Sequence, residues 1–443
     1  MSDYPSYAGR IEAAGVVGAG GAGFPTHVKA QGTAEIVIAN GAECEPILGK
    51  DKALMRAYPG QIVAGLVAMM KSVNAEKGVI AIKRKNTREV EAMKAAVAKM
   101  DSISGISLAV RELDDFYPAG DEHVLVYELT GRIVPAGGIP LHVGAVVNNV
   151  ETLLNVARAV DDGSPVTHKF VTLGGAVARP GTYRVPLGTS FARVIDAAGG
   201  YRPMPSRDGH SEAGLGTFGT VGAARAGGQI EPQRIYEALA DGPMMGTIIP
   251  PERSLEAVVV TKTTSGVILV PRGHPILTER RQSIDHQVRL AQSACIQCTQ
   301  CTDACPRFLL GHALRPHIIM RTLGYRRPSL PDDLDRYPDL LMAGLCTECG
   351  VCSLVCPMGL SPRRVNGQIK QAMAQVKVRW RGASGGEVVH PARKGRLIPS
   401  ARLVARLGLS GCVRDAHGNA HGYGTGRGAA DGAFGADEEL IEL

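Results

Sequence analysis

Residues 295–306 read CIQCTQCTDACP and residues 346–357 read CTECGVCSLVCP. Both runs have the spacing C-x2-C-x2-C-x3-C-P, in which three thiolates on one short loop can bind three corners of an iron–sulfur cube. When two such runs occur together, the fourth cysteine of each typically ligates the other cluster. Structural zinc is the alternative, but zinc sites favour two separated C-x2-C pairs and have no use for a third cysteine at the same interval. The runs therefore predict two [4Fe–4S] clusters, one held by Cys295, Cys298, Cys301 and Cys356, the other by Cys346, Cys349, Cys352 and Cys305.

The composition is that of a globular protein. A length of 443 residues predicts roughly three domains, and a hydrophobic fraction of 44% is enough to build their cores. The N-terminus lacks the charged start and apolar stretch of a secretory signal, and no window holds about 18 uninterrupted apolar residues. The sequence therefore predicts a cytoplasmic protein without a transmembrane segment. Clustered thiols in a reducing compartment usually bind metal or do redox work.

The net charge of +7 is unevenly distributed. Residues 271–330 carry +6 and residues 361–410 carry +10, so the rest of the chain carries −9. These basic segments flank the cysteine runs. They can form a docking surface for an acidic partner, or they can offset the negative charge of whatever the thiolates bind. Because few aromatic residues interleave with the cations, we expect no nucleic-acid partner.

The first part of the chain alternates strand and helix patterns. Apolar runs at 35–40, 78–83 and 106–113 predict buried strands, while residues 86–100 and 121–130 predict helices. This alternation predicts an α/β domain with a largely parallel sheet. We place that domain at residues 10–160.

The chain then changes character over residues 165–275. A hairpin pattern comes first, and residues 189–198 predict a helix that ends at two glycines. Strand patterns at 256–262 and 266–271 complete a small domain of strands with a helix, interrupted near 203–232 by a loop insertion.

The last part of the chain contains both cysteine runs. Residues 280–380 predict a helical domain around the clusters, and residues 381–410 form a basic extension. Residues 411–443 are glycine-rich and of low complexity, which predicts a disordered tail. Cys412 at the edge of that tail is interpreted as a bystander.

A glycine loop lies near the N-terminus. Residues 18–23 read GAGGAG, a literal G-x-G-x-x-G, and Glu43 follows Gly23 by 20 residues as in a dinucleotide fingerprint. The preceding residues are poor strand material, whereas a regular dinucleotide fold needs a strand there. The loop still offers bare backbone N–H groups, which suit close contact with a phosphate or a flat ring. A tight turn without chemical function is the alternative.

Several motifs occur in one order along residues 10–410. They are GAGGAGFPTHVK (18–29), NGAECEP (40–46), YPAGDE (117–122), VVNNVETL (146–153), TLGGAVARPGTY (172–183), GPMMG (242–246), VTKTTSGVILVP (260–271), the two cysteine runs and RKGRLIPSARL (393–403). This series resembles the flavin- and NADH-binding subunit of respiratory complex I. It resembles more closely the branch of that family formed by the C subunit of the Rnf electron-transport complex and the PduS cobalamin reductases.

The resemblance implies three folded parts: a Rossmann-like α/β flavin domain of the complex I type, a β-grasp-like SLBB domain and a helical 2×[4Fe–4S] ferredoxin-like domain. It also implies two sets of cofactor-binding residues. The FMN set is Gly18, Gly20, Gly21, Gly23, Lys29, Asn40, Glu43, Tyr117, Gly120, Asn148 and Asn149. The set that faces the nicotinamide and the NADH ribose is Phe24, Glu45 and Glu122.

Some of these residues also have simpler interpretations. Lys29 can be a solvated helix charge, Asn148 and Asn149 can cap the helix that follows, and Glu45 can be a turn residue held extended by the next proline. In the flavin-binding protein of complex I, an aromatic residue usually follows the lysine, whereas Ala30 follows Lys29 here, which removes one expected contact with NADH.

These features together predict an oxidoreductase. NADH delivers two electrons as a hydride and iron–sulfur clusters accept one at a time, so a flavin belongs between them. We expect an NADH-dependent enzyme of the cobalamin-reductase type, with a corrinoid enzyme or a redox protein as the low-potential acceptor, docked at the basic cluster domain. One alternative is the peripheral C subunit of an Rnf-type membrane complex, and another is an electron relay with a vestigial flavin site. The corresponding locations are the cytoplasm, the lumen of a bacterial microcompartment, or the periphery of the cytoplasmic membrane.

Overall fold

The computed structural model describes residues 6–104, 106–201, 235–382, 384–409 and 440–442. The chain divides into two compact units. Unit 1 comprises Met1–Glu112, Asn148–Leu277 and Gly408–Leu443, and unit 2 comprises Leu113–Val147 and Thr278–Leu407. The predicted loop insertion and Cys412 lie outside the described residues. The boundaries of the three domains stay a prediction.

The first half of unit 1 is the predicted α/β layer. Its elements, labelled in chain order through the whole molecule, are α1 (Tyr7–Ala13), α2 (Thr26–Ala30), β1 (Ile36–Gly41), α3 (Lys50–Ala57), α4 (Pro59–Val73), β2 (Lys77–Lys83), α5 (Thr87–Ser104), β3 (Ser107–Leu113), β5 (Ala145–Asn149) and α7 (Val150–Asp161). Strand β5 crosses the boundary between the units, since residues 145–147 belong to unit 2. The sheet has the order β3-β2-β1-β5, and β1 runs parallel to β2. Val37 and Ile38 in β1 are fully buried, as expected for a parallel strand covered on both faces.

Helices α4 and α7 approach each other very closely. A Cβ atom added to Gly65 in α4 would lie 1.9 Å from the carbonyl oxygen of Leu153 in α7. Only glycine allows this distance, so Gly65 fixes the position of α7. The N-terminus of α7 carries the VVNNVETL motif, and its placement therefore depends on this contact.

The second half of unit 1 is a mixed sheet with one helix. It contains β6 (His168–Gly175), β7 (Gly181–Pro186), α8 (Phe191–Ala197), β8 (Tyr236–Ala240), β9 (Thr247–Ile248), β10 (Gly266–Pro271) and β12 (Leu440–Glu442). The strand order is β12-β7-β6-β10-β8-β9. The predicted hairpin is the antiparallel pair β6–β7, and α8 is followed by Gly199 and Gly200, both at positive φ. Tyr183, Phe191 and Leu269 contribute to the core of this sheet.

Two expectations for this region are wrong. Residues 256–262 do not form a strand; Val259 makes only an isolated bridge to Ser190. The neighbouring Val258 and Val260 are buried, but they do not pair with a strand. Val260 bonds to the backbone of residues 188 and 189 before α8, and the carbonyl of Val258 accepts from the N–H of Phe191, the first residue of α8. The predicted tail also contains a strand, because Leu440–Glu442 pair in parallel with β7. Ile441 contacts the core there, which ties this end of the chain to the sheet. Residues 410–439 of the chain lie outside the described residues.

Unit 2 is mainly helical, as predicted. Its elements are β4 (Phe116–Tyr117), α6 (Glu122–Thr130), a 3-10 helix (Pro140–Val143), α10 (Ile284–Ser293), α11 (Gln300–Asp303), α12 (Pro306–Leu309), α13 (Pro316–Arg326), a second 3-10 helix (Pro338–Leu345), α14 (Val351–Leu354), α15 (Pro362–Gln375), α16 (Arg393–Arg396), β11 (Ile398–Pro399) and α17 (Ser400–Arg406). Helix α9 (Pro275–Arg281) runs across the boundary between the units. Ile319, Leu340 and Ile369 belong to the core that surrounds the cysteine runs.

In the described ranges, no single helix is long and apolar enough to cross a membrane. Helices α3 and α4, which meet at 96°, are long and apolar enough to do so only when they are taken together as one bent segment.

Candidate functional site

The glycine loop is a closed turn between α1 and α2. An isolated bridge joins Val17 to Pro25, and the N–H of Gly18 donates to the carbonyl of Phe24 at 2.9 Å. Gly21 and Gly23 have φ values of 115° and 65°, which favour glycine. The element before the loop is a helix rather than a strand. The loop therefore does not belong to a regular dinucleotide fingerprint, as the poor strand character of the preceding residues indicated.

The tip of this loop is open. Gly20, Gly21 and Ala22 are exposed, and within the described part of the chain their N–H groups have no hydrogen-bond acceptor. A side chain at Gly20 would press against Asn149, since its Cβ would lie 3.4 Å from that of the asparagine. The tip is therefore a set of exposed N–H groups without acceptors among the described residues, which fits an anionic group or the edge of a flat ring.

Asn148 and Asn149 stand at the N-terminus of α7 with different roles. Asn149 caps the helix by accepting from the N–H of Glu151 at 3.0 Å, and its amide donates to Asp51 at 2.7 Å. Asn148 is 4% exposed, and its amide nitrogen has no hydrogen-bond partner among the described residues. A buried donor without an acceptor is costly unless a ligand supplies one. Asn148 thus fits the predicted flavin site, and Asn149 fits the simpler capping interpretation.

A buried network of charges lies in the same unit. Lys50 donates to Asp51 at 2.6 Å and to Glu151 at 3.0 Å, and Lys169 also donates to Glu151. Burial alone would raise the pKa of Glu151, but the ammonium groups of Lys169 and Lys50 hold it below the ordinary value. Burial, and then the charge of Asp51, raise the pKa of Glu43 to about 8. Glu43 accepts from the N–H of Asp51 at 2.8 Å and has a left-handed φ of 33°.

The residues expected to face NADH are placed differently from one another. Phe24 is 42% exposed at the end of the glycine loop, and the Nζ atom of Lys29 lies 5.6 Å from the centre of its ring. Glu45 instead accepts from the N–H groups of Met244 and Met245 at 2.8 and 2.7 Å. Its carboxylate therefore joins the NGAECEP segment to the GPMMG segment. Asn40, predicted for the FMN set, turns its side chain back to accept from the N–H of residue 42 at 3.2 Å.

Tyr117, Gly120 and Glu122 belong to unit 2. The hydroxyl of Tyr117 donates to the carbonyl of Cys349 at 2.7 Å, and Tyr117 is 2% exposed. Gly120 and Glu122 stand at the start of α6. This motif thus contacts the second cysteine run within its own unit.

Asp121, in the same motif, was not singled out by sequence. It caps α6 and pairs with buried Arg307 at 3.1 Å. Arg307 directly follows the first cysteine run (residues 295–306), so the ion pair joins the motif to that run as well.

Cysteines from both runs converge in unit 2. A cavity in unit 2 is lined by Cys305 of the first run together with Cys346, Cys349 and Cys352 of the second. Burial, and then the proximity of the other three thiols, raise the pKa of Cys352. Asn366 also lines the cavity, and its buried amide lies beside the thiol of Cys346, where it opposes the rise that burial causes in the pKa of that thiol. Such a donor beside thiolates fits the hydrogen bonding that iron–sulfur clusters receive.

The remaining four cysteines form the other group. Burial, and then Cys356, Cys295 and Cys298, raise the pKa of Cys301 to about 12. Cys298 is exposed, so this group lies nearer the surface of unit 2 than the cavity group. Within the described ranges, no group of three or more His, Cys, Asp or Glu side chains is arranged to hold a single metal ion.

The two runs share one local backbone. Gln297 and Glu348, which precede the second cysteine of each run, both have positive φ, as do Thr299 and Gly350, which follow it. The N–H of Glu348 donates to the sulfur of Cys346 at 3.3 Å. Equal spacing in the sequence therefore corresponds to equal turns in the structure. Cys44, outside both runs, is partly buried, and its thiol donates to the carbonyl of Ala42 at 3.9 Å.

Three family models match the chain: the Nuo51 FMN-binding domain at residues 11–158, the SLBB domain at residues 170–213 and a 4Fe–4S dicluster domain at residues 294–361. Among solved structures, an NAD⁺-reducing [NiFe]-hydrogenase in the air-oxidised state matches with a TM-score of 0.52 at 22% identity, which shows the shared fold. The match covers 86% of this chain, and the chain spans 64% of the length of that hydrogenase chain.

A chain that combines these three domains is an FMN- and iron–sulfur-dependent oxidoreductase. It is 40% identical to the cobalamin reductase PduS of Salmonella typhimurium over 92% of its own length and 80% of that protein. It is 33% identical to the C subunit of the proton-translocating ferredoxin:NAD(+) oxidoreductase complex of Clostridium ljungdahlii, over 68% of this chain and 56% of that protein. The chain belongs to the PduS cobalamin reductase family.

Proposed function

We propose that this protein oxidises NADH and passes the electrons through FMN and two [4Fe–4S] clusters to a low-potential acceptor, most directly a corrinoid. The observation that carries the proposal is the four-cysteine cavity, since cysteines of both runs line it beside the buried amide of Asn366. The likeness to cobalamin reductases supports the choice of a corrinoid.

The chain's own residues have distinct roles in this proposal. The N–H groups of Gly20, Gly21 and Ala22 and the amide of Asn148 would hold FMN, because they are donors without protein acceptors among the described residues. Phe24 would present its exposed ring to the nicotinamide. FMN, when bound, takes up a hydride and releases its electrons singly.

The cysteines would ligate the clusters in two groups that differ in burial. Cys298 is exposed and its neighbour Ile296 is 61% exposed, whereas Cys305, Cys349 and Cys352 are buried. The acceptor would therefore approach unit 2 at the exposed part of the first cysteine run around Cys298. An acidic surface on the acceptor would be attracted to the basic segments that flank the runs.

The test is an anaerobic titration of reconstituted protein with NADH, followed by optical and EPR spectra. We expect bleaching of the flavin band and the appearance of reduced-cluster signals. Cys305→Ser should remove about half of the iron, because it opens only one cluster site, while Cys44→Ser serves as the matched thiol control. Protein that holds flavin and both clusters yet stays oxidised in NADH would overturn the proposal.

A second candidate keeps the chemistry and changes the partner. The similarity to the C subunit of an ion-translocating complex favours a peripheral protein that exchanges electrons with a ferredoxin at a membrane. Parallel assays of NADH-dependent reduction of a corrinoid and of a ferredoxin separate the two candidates. Absence of flavin after gentle anaerobic purification would favour an electron relay instead. The first candidate is expected in the cytoplasm or the lumen of a microcompartment, and the second at the periphery of the membrane.

A further inference from the structure

The backbone of the glycine loop is held by hydrogen bonds on both sides of one residue, Ala19. The N–H of Ala19 donates to the hydroxyl of Thr152 in α7 at 2.9 Å, and the carbonyl of Ala19 accepts from Lys169 in β6 at 2.9 Å. Ala19, Thr152 and Lys169 are each at most 2% exposed. Side chains thus fix both polar groups of the residue directly before the open tip.

Lys169 is itself held in place. Its ammonium group also donates to Glu151, whose other carboxylate oxygen accepts from the N–H of Phe170 at 3.1 Å. Lys50 contacts Glu151 as well, and Asp51 balances Lys50, so the buried positive and negative charges are paired. A paired and hydrogen-bonded network of this kind is rigid, since moving one member leaves another charge buried without a partner.

A second segment contacts the sides of the loop. Lys262 donates to the carbonyl of Gly15 at 2.6 Å, and a Cβ at Gly23 would lie 2.9 Å from the methyl group of Thr263. Like Lys169, these residues belong to the region predicted as the SLBB domain. That region therefore touches the loop at its base and at both ends, while the tip between them stays open.

We infer that Lys169 is a positioning residue for the flavin phosphate, and that the SLBB domain forms part of the FMN site by fixing the backbone at Ala19. The inference rests on the proposed function. Fixing Ala19 sets the direction of the N–H groups of Gly20, Gly21 and Ala22, which would otherwise reorient about their flexible backbone. Preorganised N–H groups bind an anion without the entropic cost of ordering the loop on binding.

The experiment compares FMN with riboflavin, which lacks the phosphate. Apo-protein is titrated with each flavin, and binding is followed by fluorescence quenching. Lys169→Met should weaken FMN binding at least about tenfold, which corresponds to about 1.4 kcal/mol, and change riboflavin binding less than twofold. Lys71→Met, an exposed lysine on α4, is the matched control and should change neither affinity.

A second variant covers the case in which Lys169→Met fails to fold. Thr152→Val removes the other anchor of Ala19 without altering a charge, and we expect the same selective loss of FMN affinity. Hydrogen exchange of the apo-protein should show faster exchange at the Ala19 amide in both variants.

The outcomes are distinct. Equal loss of FMN and riboflavin affinity, or no loss of either in a folded variant, would overturn the inference and leave the proposed function standing. Wild-type protein that binds neither flavin would overturn both.

Discussion

The contact between Glu45 and the GPMMG segment (residues 242–246) is expected to stabilise the part of the site predicted to bind NADH, and removing it tests that role. The carboxylate of Glu45 accepts from the N–H groups of Met244 and Met245, and Gly242 leaves room for it, since a Cβ there would lie 2.0 Å from its Oε2 atom. A hydrogen bond to a charged group contributes about 1.5–3 kcal/mol. Met245 is 49% exposed, so water can replace that bond, and we expect Glu45→Ala to cost about 2–3 kcal/mol in total.

Gly242→Ala reaches the same contact from the other side. Its new methyl group would displace the carboxylate, so the loss of unfolding free energy should be similar to that of Glu45→Ala. In Glu45→Ala the three atoms nearest to the new methyl group are gone, and Gly242→Ala should then cost little. We therefore expect the double mutant to be non-additive by about 2 kcal/mol.

Urea unfolding followed by circular dichroism measures the four stabilities of this cycle. Additive costs, with a coupling below about 0.5 kcal/mol, would refute the reasoning. NADH affinity gives a further comparison. If Glu45 acts by positioning the segment rather than by touching NADH, Gly242→Ala should weaken NADH binding as much as Glu45→Ala does, although it keeps the carboxylate.

Three further predictions concern packing, protonation and one hydrogen bond. Gly65→Ala should destabilise the protein by about 3 kcal/mol or more, because its Cβ would overlap the backbone of Leu153. The control Gly60→Ala lies in the same helix, has no atom within 4 Å of the new Cβ and should be neutral or stabilising. Thermal unfolding measures both effects. Glu43 keeps its proton in the folded state up to about pH 8 but releases it near 4.5 when unfolded, so stability should fall as the pH rises between these values. Glu43→Gln should flatten that dependence in urea titrations, and an unchanged slope would contradict it. Tyr117→Phe loses the bond to the carbonyl of Cys349 and should lower stability by about 1 kcal/mol at unchanged iron content; an unchanged urea midpoint would count against that bond.

The sequence predicts local chemistry well where the signal is spacing. Equal intervals in the two cysteine runs produce equal left-handed positions at Gln297 and Glu348, because the same short turns are needed to direct three thiols inward. The parallel strands follow in the same way, since β1 and β2 are continuous apolar runs that must be covered on both faces. The fold class could be predicted for this reason.

Long-range contacts carried no such signal. Lys169 stands between His168 and Phe170 and reads as an ordinary strand lysine, yet it is buried against residues 18 and 150 positions away. Glu45 accepts from residues 199 and 200 positions away. The sequence around Glu45 gives no sign of these partners and suggests only a nucleotide site or a turn. Around Val259 the side chains alternate between buried and exposed as in a strand, but the backbone bonds to a loop. Burial constrains which way side chains point and leaves the choice of backbone partner open.

The short strand β12 has a consequence for how copies of this protein meet. Leu440–Glu442 occupy the outer edge of β7, in register with Thr182, Tyr183 and Arg184. An uncovered edge presents unpaired N–H and C=O groups that a strand from another molecule can bind. Deleting residues 440–443 would therefore expose the edge of β7. Self-association through this edge would rise, although the glycine loop and the cysteine groups are unchanged.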